Sequence, residues 1–502
     1  MIAELTRLFL RAFAAAFYAW VLGVTFRYAW NREHGGAHGQ EHSPKNGWQN
    51  RLITTDLVTL LFPAGLAVIF AGFMLTNGWR NVLPCFFRFS TDLLLTMSLY
   101  YIVMLVLMPA LRKRVSAQAC AAAWLLPAYL YFVVLLFPKA PMPRLVFYCP
   151  AWILDVLAPV WFAGFGLVFA GFVFSHLRFC RHILPTITDE SDGMVRAVWA
   201  QELARFHIEK PVRLVRCPPA STPFSMNHGK QVLTILPPCP YTEQELHLIF
   251  RHELHHIQRN DTNTRLFFAF LCAFFWFHPL VWLTARESAK DMELSCDEIV
   301  LEDADDDTRK RYASLLLHTA ARPRGFTTCL SADARALRYR LKNVMHERKC
   351  TPGTRLLMAL LFVCIMCHGT LAFFDSRFTL DTLFADGRAM NHVLYEVYDR
   401  GTGSYQSKNE AELKNGSLEP LLAYLSSLSA EELVGSSQRE EGTPEHARRL
   451  YLSDENGTLQ GIWIYDNGIT VCDWYQKDRS KRFRVYYVRG KIDWKKIEAF
   501  FE

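Results

Sequence analysis

The sequence predicts a polytopic α-helical membrane protein that carries a metal-binding domain, mainly α with a small sheet, and ends in a small α+β domain. Three observations lead there. Apolar residues gather into stretches of bilayer-spanning length, although 21% of the 502 residues are charged. A histidine pair in His-Glu-x-x-His spacing, His252 and His256, is followed downstream by Glu293. Beyond the last apolar stretch, strand-like runs and a turn signal mark a separate unit.

In chain order, apolar stretches of spanning length fall at 5–28, 57–76, 92–111, 117–137, 151–174 and 354–374. The first five form a membrane domain over 1–176, and the sixth is a last transmembrane helix. The first stretch has no persuasive small-residue cleavage site and carries Arg7 and Arg11 beside its apolar run, so it reads as an uncleaved span. Arg112-Lys113-Arg114 and the Arg178, Arg181 pair mark the cytoplasmic side. That orientation puts the N-terminus outside, 177–353 in the cytoplasm and 375–502 outside the membrane; Arg80 and Arg88 then fall outside, against the trend. The loop over 31–55, rich in His and Gly, faces the cytoplasm. Asp155, costly inside the fifth stretch, faces a helix neighbour or a water pocket, as a relay or as a packing contact.

The region 177–353 opens with a helical stretch at 194–206 and two strand-like runs, 212–215 and 232–236. The second run, around Thr234, is expected to offer an edge to an extended peptide. Thr242 is an N-cap with Glu245 three residues on, and Leu246, Ile249, Phe250 and Leu254 form an apolar stripe. The His-Glu-x-x-His motif therefore lies on the last turns of a helix. Residues four apart share a face, so His252 and His256 can present imidazole nitrogens to one Zn2+. Zinc brings the pKa of a bound water toward neutrality, and Glu253 is placed to take its proton as general base. His255 points away from that face and reads as structural or as a support. In Glu293-x-x-x-Asp297 the carboxylates again lie one turn apart, so Glu293 serves as third ligand while Asp297 orients a ligating imidazole. Asp291, Glu298 and Glu302 nearby suggest instead a solvated acidic face, but two histidines already require a partner. Cys296 points off the Glu293 face and reads as structural.

Between the two halves of the motif, 266–283 is almost wholly apolar. A complete crossing would part His256 from Glu293 by a bilayer, whereas one zinc needs both within a few ångströms. His278-Pro279 resolves the conflict by breaking the helix, giving a membrane-associated hairpin over 266–285.

The last unit, 375–502, reads as helical at 418–428 and 430–435. Strands follow at 461–465, 469–475 and 483–488, with an Asp466-Asn467-Gly468 turn between the first two. Trp463, Trp474 and Tyr487 line a ligand site or, as the better expectation, pack across strands. Most of the 13 cysteines lie in spans or in the cytoplasmic region, and the tail holds only Cys472, so no disulfide closes within it. The net charge of +7 fits basic cytoplasmic flanks, and no nucleic-acid-binding module is visible, so direct nucleic-acid binding is not expected.

Over roughly 177–349 the chain resembles the BlaR/MecR-type antirepressor metallopeptidases. The likeness runs through Leu236-Pro237, His252-Glu253-Leu254-His255-His256 with Asp261 after it, and His278-Pro279-Leu280-Val281-Trp282. It continues through Glu293-Leu294-Ser295-Cys296-Asp297-Glu298 and Leu337-Arg338-Tyr339-Arg340-Leu341. Membrane proteases of the CAAX-processing and heat-shock type share the His-Glu and Glu-x-x-x-Asp pieces, so spacing alone does not separate the two. The resemblance implies a gluzincin-like domain, ligands His252, His256 and Glu293, catalyst Glu253, and cleavage of a cytoplasmic transcriptional repressor or of the chain itself on an outside signal. One departure matters: β-lactam sensors of this type end in a penicillin-binding domain, and no Ser-x-x-Lys follows Phe374. The tail then reads as a different sensor or interaction domain. The expected partners are a repressor-like protein, the bilayer, an unidentified extracellular ligand and a second copy in a homodimer. The alternative is a signal-independent protease that processes membrane proteins, and a receptor with a non-catalytic zinc domain is a third.

Overall fold

A computed structural model describes residues 2–34, 55–128, 145–148, 151–206, 208, 210–319, 334–346, 350–367, 371–374, 378–379, 392–399, 404–408, 423–425, 427–432, 448–453, 459–465, 468–475, 480–488 and 492–498. Most of it is helical. Helix α1 is Ile2–His34, and α2, Thr55–Leu111, is broken at Gly78, whose φ of 74° suits glycine and few other residues. Helix α3 is Ala117–Ala123 and α4 is Ala151–Ile183. Among the described residues, three helices are long and apolar enough to cross a membrane, Phe9–Asn31, Phe89–Leu111 and Val156–Thr186, while Phe62–Leu75 and Thr354–Cys367 are shorter apolar helices.

The stretch expected to span at 117–137 differs over its described part. Helix α3 stops after seven residues, and Trp124 and Leu126 turn into the protein interior. The reason is a set of polar ties: Ser116 caps the helix through Ala119 N–H, and the Trp124 indole donates to Asp291 at 2.8 Å. Residues 129–144 lie outside the described set, as does the Asp155 side chain.

Helices α5 (Gly193–Arg205), α6 (Glu243–Arg259), α7 (Asp261–Phe274) and α8 (Pro279–Val300) carry the motifs, with α9 (Asp306–Thr319) and α10 (Ala334–Val344) packed on them. The expected capping box is present at the start of α6, where Thr242 and Glu245 bond reciprocally. The apolar hairpin is an out-and-back pair, α7 and the start of α8, reversing through 275–278. Proline at the first position of α8 costs no helical hydrogen bond there. Its arms share one core with the other apolar helices: Phe267, Leu271, Phe274 and Val281 cluster with Phe62, Phe86, Trp161 and Leu357. Gly164 allows this closeness, because a Cβ there would lie 2.2 Å from the Trp276 ring.

A four-stranded sheet sits beside α6. Its strands are β2 (Thr188–Asp189), β3 (Val212–Arg216), β4 (Phe224–His228) and β5 (Gln231–Leu236), in the order β2-β3-β5-β4. The strand containing Thr234 is therefore central, parallel to β3 and antiparallel to β4, and not the edge that was expected. The edge nearest α6 is β4, whose mixed Phe-Ser-Met-Asn-His composition hides it from a search for apolar runs.

Helix α11 is Thr354–Cys367. Strand β6 (Leu371–Phe374) pairs in parallel with β1 (Leu145–Tyr148), which brings the entry to α4 beside the exit of α11. The C-terminal part is an eight-stranded antiparallel sheet ordered 378–379, 429–432, 480–488, 468–475, 459–465, 448–453, 392–399, 404–408. The three strands read from the sequence lie in it as neighbours, and the Tyr465↔Gly468 pair leaves a two-residue turn between two of them. Ser429–Glu432 is a strand where a helix was expected; pairing of Ala430 with Val488 and Phe378 overrides the helical preference of Ala and Glu. Ile462 and Ile464 are fully buried. The side chains of Trp463, Trp474 and Tyr487 lie outside the described set, as do 418–422 and 433–435 of the expected helices.

Candidate metal centre

Helix α6 presents His252 and His256 on one face, one turn apart, and α8 brings Glu293 to the same point. The two Nε2 atoms lie 3.2 Å apart, and Glu293 oxygens lie 3.5 Å from His252 Nε2 and 3.7 Å from His256 Nε2. One donor atom from each of the three residues fits within a 4.8 Å group. A tetrahedral ion with metal–nitrogen bonds of about 2.0–2.1 Å needs donors about 3.3 Å apart. The donor set thus fits a zinc-sized ion in both chemistry and spacing.

Each imidazole is oriented through its other nitrogen. His256 Nδ1 bonds Asp261 Oδ2 at 2.6 Å, and Cys296 Sγ lies 3.5 Å from the same nitrogen. His252 Nδ1 lies 3.0 Å from the Tyr312 hydroxyl, which donates to Asp297 Oδ1 at 2.7 Å. Asp297 itself is 3.5 Å from His252 Nδ1, so its support of that ring runs through Tyr312. Holding both Nδ1 atoms this way leaves both Nε2 atoms facing the centre.

Two arginines complete the shell. Arg340, from α10, reaches both Asp297 oxygens at 2.7 Å and Glu293 at 2.9 Å, and Arg265, from α7, reaches Glu293 at 2.7 Å. Burial pushes the Glu293 carboxyl up, but Arg340, then His256 and Arg265, more than offset it and hold it well below the usual carboxylate range. Burial pushes His256 down, yet Cys296, Glu293 and Asp261 hold it well above the usual imidazole range. That balance favours positive charge at His256, from a proton or from a metal.

Glu253 is buried and accepts from the Ser225 hydroxyl at 2.9 Å; Thr234 stands behind Ser225 at 3.3 Å. The carboxylate is thus fixed between the metal helix and the edge strand β4. His255 points the other way, against the Phe206 ring at 4.8 Å, and its burial lowers its pKa well below normal. Of the acidic residues around Glu293, Glu302 is exposed, whereas Asp291 and Glu298 are drawn into the protein. Asp291 is fully buried and takes both Arg112 nitrogens at 2.6 and 2.8 Å, while Glu298 accepts from Ala117 N at 2.8 Å.

Tyr312, Arg265 and Ser225 had no sequence signal, since each reaches the site from a different element at long range. Asp261 and Arg340 stood within the quoted motifs, without a role until α7 and α10 folded back onto α6 and α8.

Residues 147–344 match the protein family described as BlaR1 peptidase M56. A curated relative, the regulatory protein BlaR1 of Bacillus licheniformis, is 25% identical over 251 residues, 48% of this chain and 41% of the relative. The chain thus spans about two fifths of the length of that relative.

Proposed function

Given that the chain is of the BlaR/MecR type through its BlaR1 peptidase M56 region, we propose that it is a membrane-bound zinc endopeptidase that transduces a signal. The observation that carries this reading is the convergence of His252, His256 and Glu293 with Glu253 beside them. Zinc held by the three ligands supplies Lewis-acid polarisation of a peptide carbonyl and acidifies a water.

The chain's own residues supply the rest. Glu253 takes the proton of the attacking water, and Ser225 keeps that carboxylate turned toward the site. Strand β4, with β5 on one side, offers its other edge for antiparallel addition of an extended substrate. Asp261 and the Tyr312–Asp297 pair hold the imidazoles, and Arg340 and Arg265 hold Glu293. The substrate is a repressor-like protein, or the chain itself, on the cytoplasmic side. The eight-stranded C-terminal sheet, without a Ser-x-x-Lys nucleophile in its sequence, acts as the sensor on the other side.

Purified full-length protein, wild type beside Glu253→Gln, tests this by zinc content and by mass spectrometry of self-cleavage and peptide fragments. The reading expects about one zinc per chain in both and cleavage in wild type alone, lowered by at least about 100-fold in the variant. Equal cleavage by both proteins, or wild type without zinc, would overturn it. Cleavage that persists undiminished after removal of 375–502 would favour the signal-independent protease.

A further inference from the structure

Arg259 ends α6, three residues after His256. Its Nε and one Nη hold both oxygens of Glu33 at 3.0, 3.0 and 2.6 Å, and its other Nη donates to Ser295 Oγ and lies 3.6 Å from Cys296 Sγ. Both partners are buried, with side-chain exposures of 10% and 6%. This guanidinium therefore joins three elements: the helix of His252 and His256, the helix of Glu293 and Asp297, and the end of α1. Without the Glu33 charge, this buried cation would lose its bidentate carboxylate partner and lean more on Asp261, the group that holds His256.

Glu33 is not on a loop. Helix α1 runs unbroken for 33 residues, about 50 Å, long enough to reach from one side of an apolar layer to the other. Along that length it packs on α11. A Cβ on Gly23 would lie 2.5 Å from Met358 Sδ, and Arg11 donates to the Ile365 carbonyl at 2.6 and 3.2 Å. Helix α11 leads to β6 and the C-terminal sheet.

We infer that α1 is the positioning element of the metal centre: it sets the spacing of α6 and α8 through Glu33–Arg259, and takes its own position from α11 through the Gly23–Met358 contact. This rests on the zinc-peptidase reading and adds a route by which the C-terminal part acts on the site. Glu33 and Arg259 are positioning residues and touch no reacting atom. A shift of α11 is carried along α1 as along a rod, because packed helices move as units rather than deform.

The test uses full-length protein in detergent and measures zinc release to a chelator together with kcat and KM for peptide cleavage. Glu33→Gln is expected to release zinc at least tenfold faster, and Glu33→Asp to recover most of that loss. Gly23→Leu, which wedges α1 from α11 far from the site, is expected to speed release threefold or more, and Gly23→Leu with Met358→Ala to restore it. A purely structural role would lower the melting temperature in step with the faster release, whereas the positioning role speeds release in a variant whose melting temperature stays within about 2 °C of wild type. Release and kcat within twofold of wild type in both Glu33→Gln and Gly23→Leu overturns the inference, as does failure of Met358→Ala to rescue. If Glu33→Gln does not fold, the Gly23 pair decides by the same criteria. Wild type without zinc would sink the peptidase reading, whereas loaded wild type with insensitive variants sinks the positioning role alone.

Discussion

Replacing Asp261 by asparagine removes one negative charge from behind His256 while keeping an oxygen that can accept from Nδ1. The carboxylate lies 2.6 Å from that nitrogen and is nearly fully buried. A divalent ion on the opposite nitrogen sits about 6 Å from the carboxylate, where at an effective dielectric of about 20 the attraction is about 5 kcal/mol. That is an upper bound, because Arg259 also interacts with Asp261 and the asparagine retains the hydrogen bond. Losses for groups in this position are commonly 10–100-fold in metal affinity, about 1.4–2.7 kcal/mol. Asp261→Asn is therefore expected to weaken zinc binding by about 10–100-fold in a chelator competition, with the thermal unfolding of the zinc-loaded protein shifted little. An affinity within threefold of wild type in a folded variant would refute the role of Asp261 as the orienting partner.

Further expectations follow from neighbouring contacts. Arg340→Leu leaves Glu293 and Asp297 without their shared cation, so the metal-free protein should lose about 3–5 kcal/mol, and zinc should restore much of it, both read from melts with and without metal. Because the His256 pKa is raised, the folded metal-free site keeps its proton to higher pH than an ordinary imidazole. Zinc must displace that proton, so affinity should fall about tenfold per unit as pH drops, beginning above the usual imidazole range. The same raised pKa stabilises the metal-free fold below the unfolded imidazole pKa of about 6.5 and loses that contribution as pH rises through the folded value, which titration of metal-free stability would show. Gly353→Ala combines a φ of 83° with a Cβ 2.3 Å from Val115 and 2.6 Å from Ala119, and should cost about 1–3 kcal/mol in unfolding experiments.

The convergence of His252, His256 and Glu293 was legible because its spacing is local. Four-residue spacing on a helix places His252 beside His256, and the need of any metal for a third donor singles out Glu293. The hairpin was legible for a similar reason, since His278-Pro279 cannot continue a helix and the two halves of the site must meet. Apolar stretches of spanning length came from composition alone, as did the capping box of α6.

Other features depend on which elements meet. The central place of the Thr234 strand follows from β4 pairing on its outer side, and β4 has no apolar alternation to announce it. The role of Arg112 as partner of buried Asp291, rather than as a mere mark of sidedness, exists only once α2 and α8 touch. Ala430 lies in a strand because Val488 and Phe378 approach it from distant parts of the chain. By itself the sequence determined that this protein has membrane-length apolar helices and a His-His-Glu metal motif, because helix periodicity, proline and ligand spacing act within a few residues. Only the tertiary structure decided that Tyr312, Arg340, Arg265, Ser225 and Glu33 surround that motif, because side chains tens to hundreds of residues apart become neighbours only when helices pack.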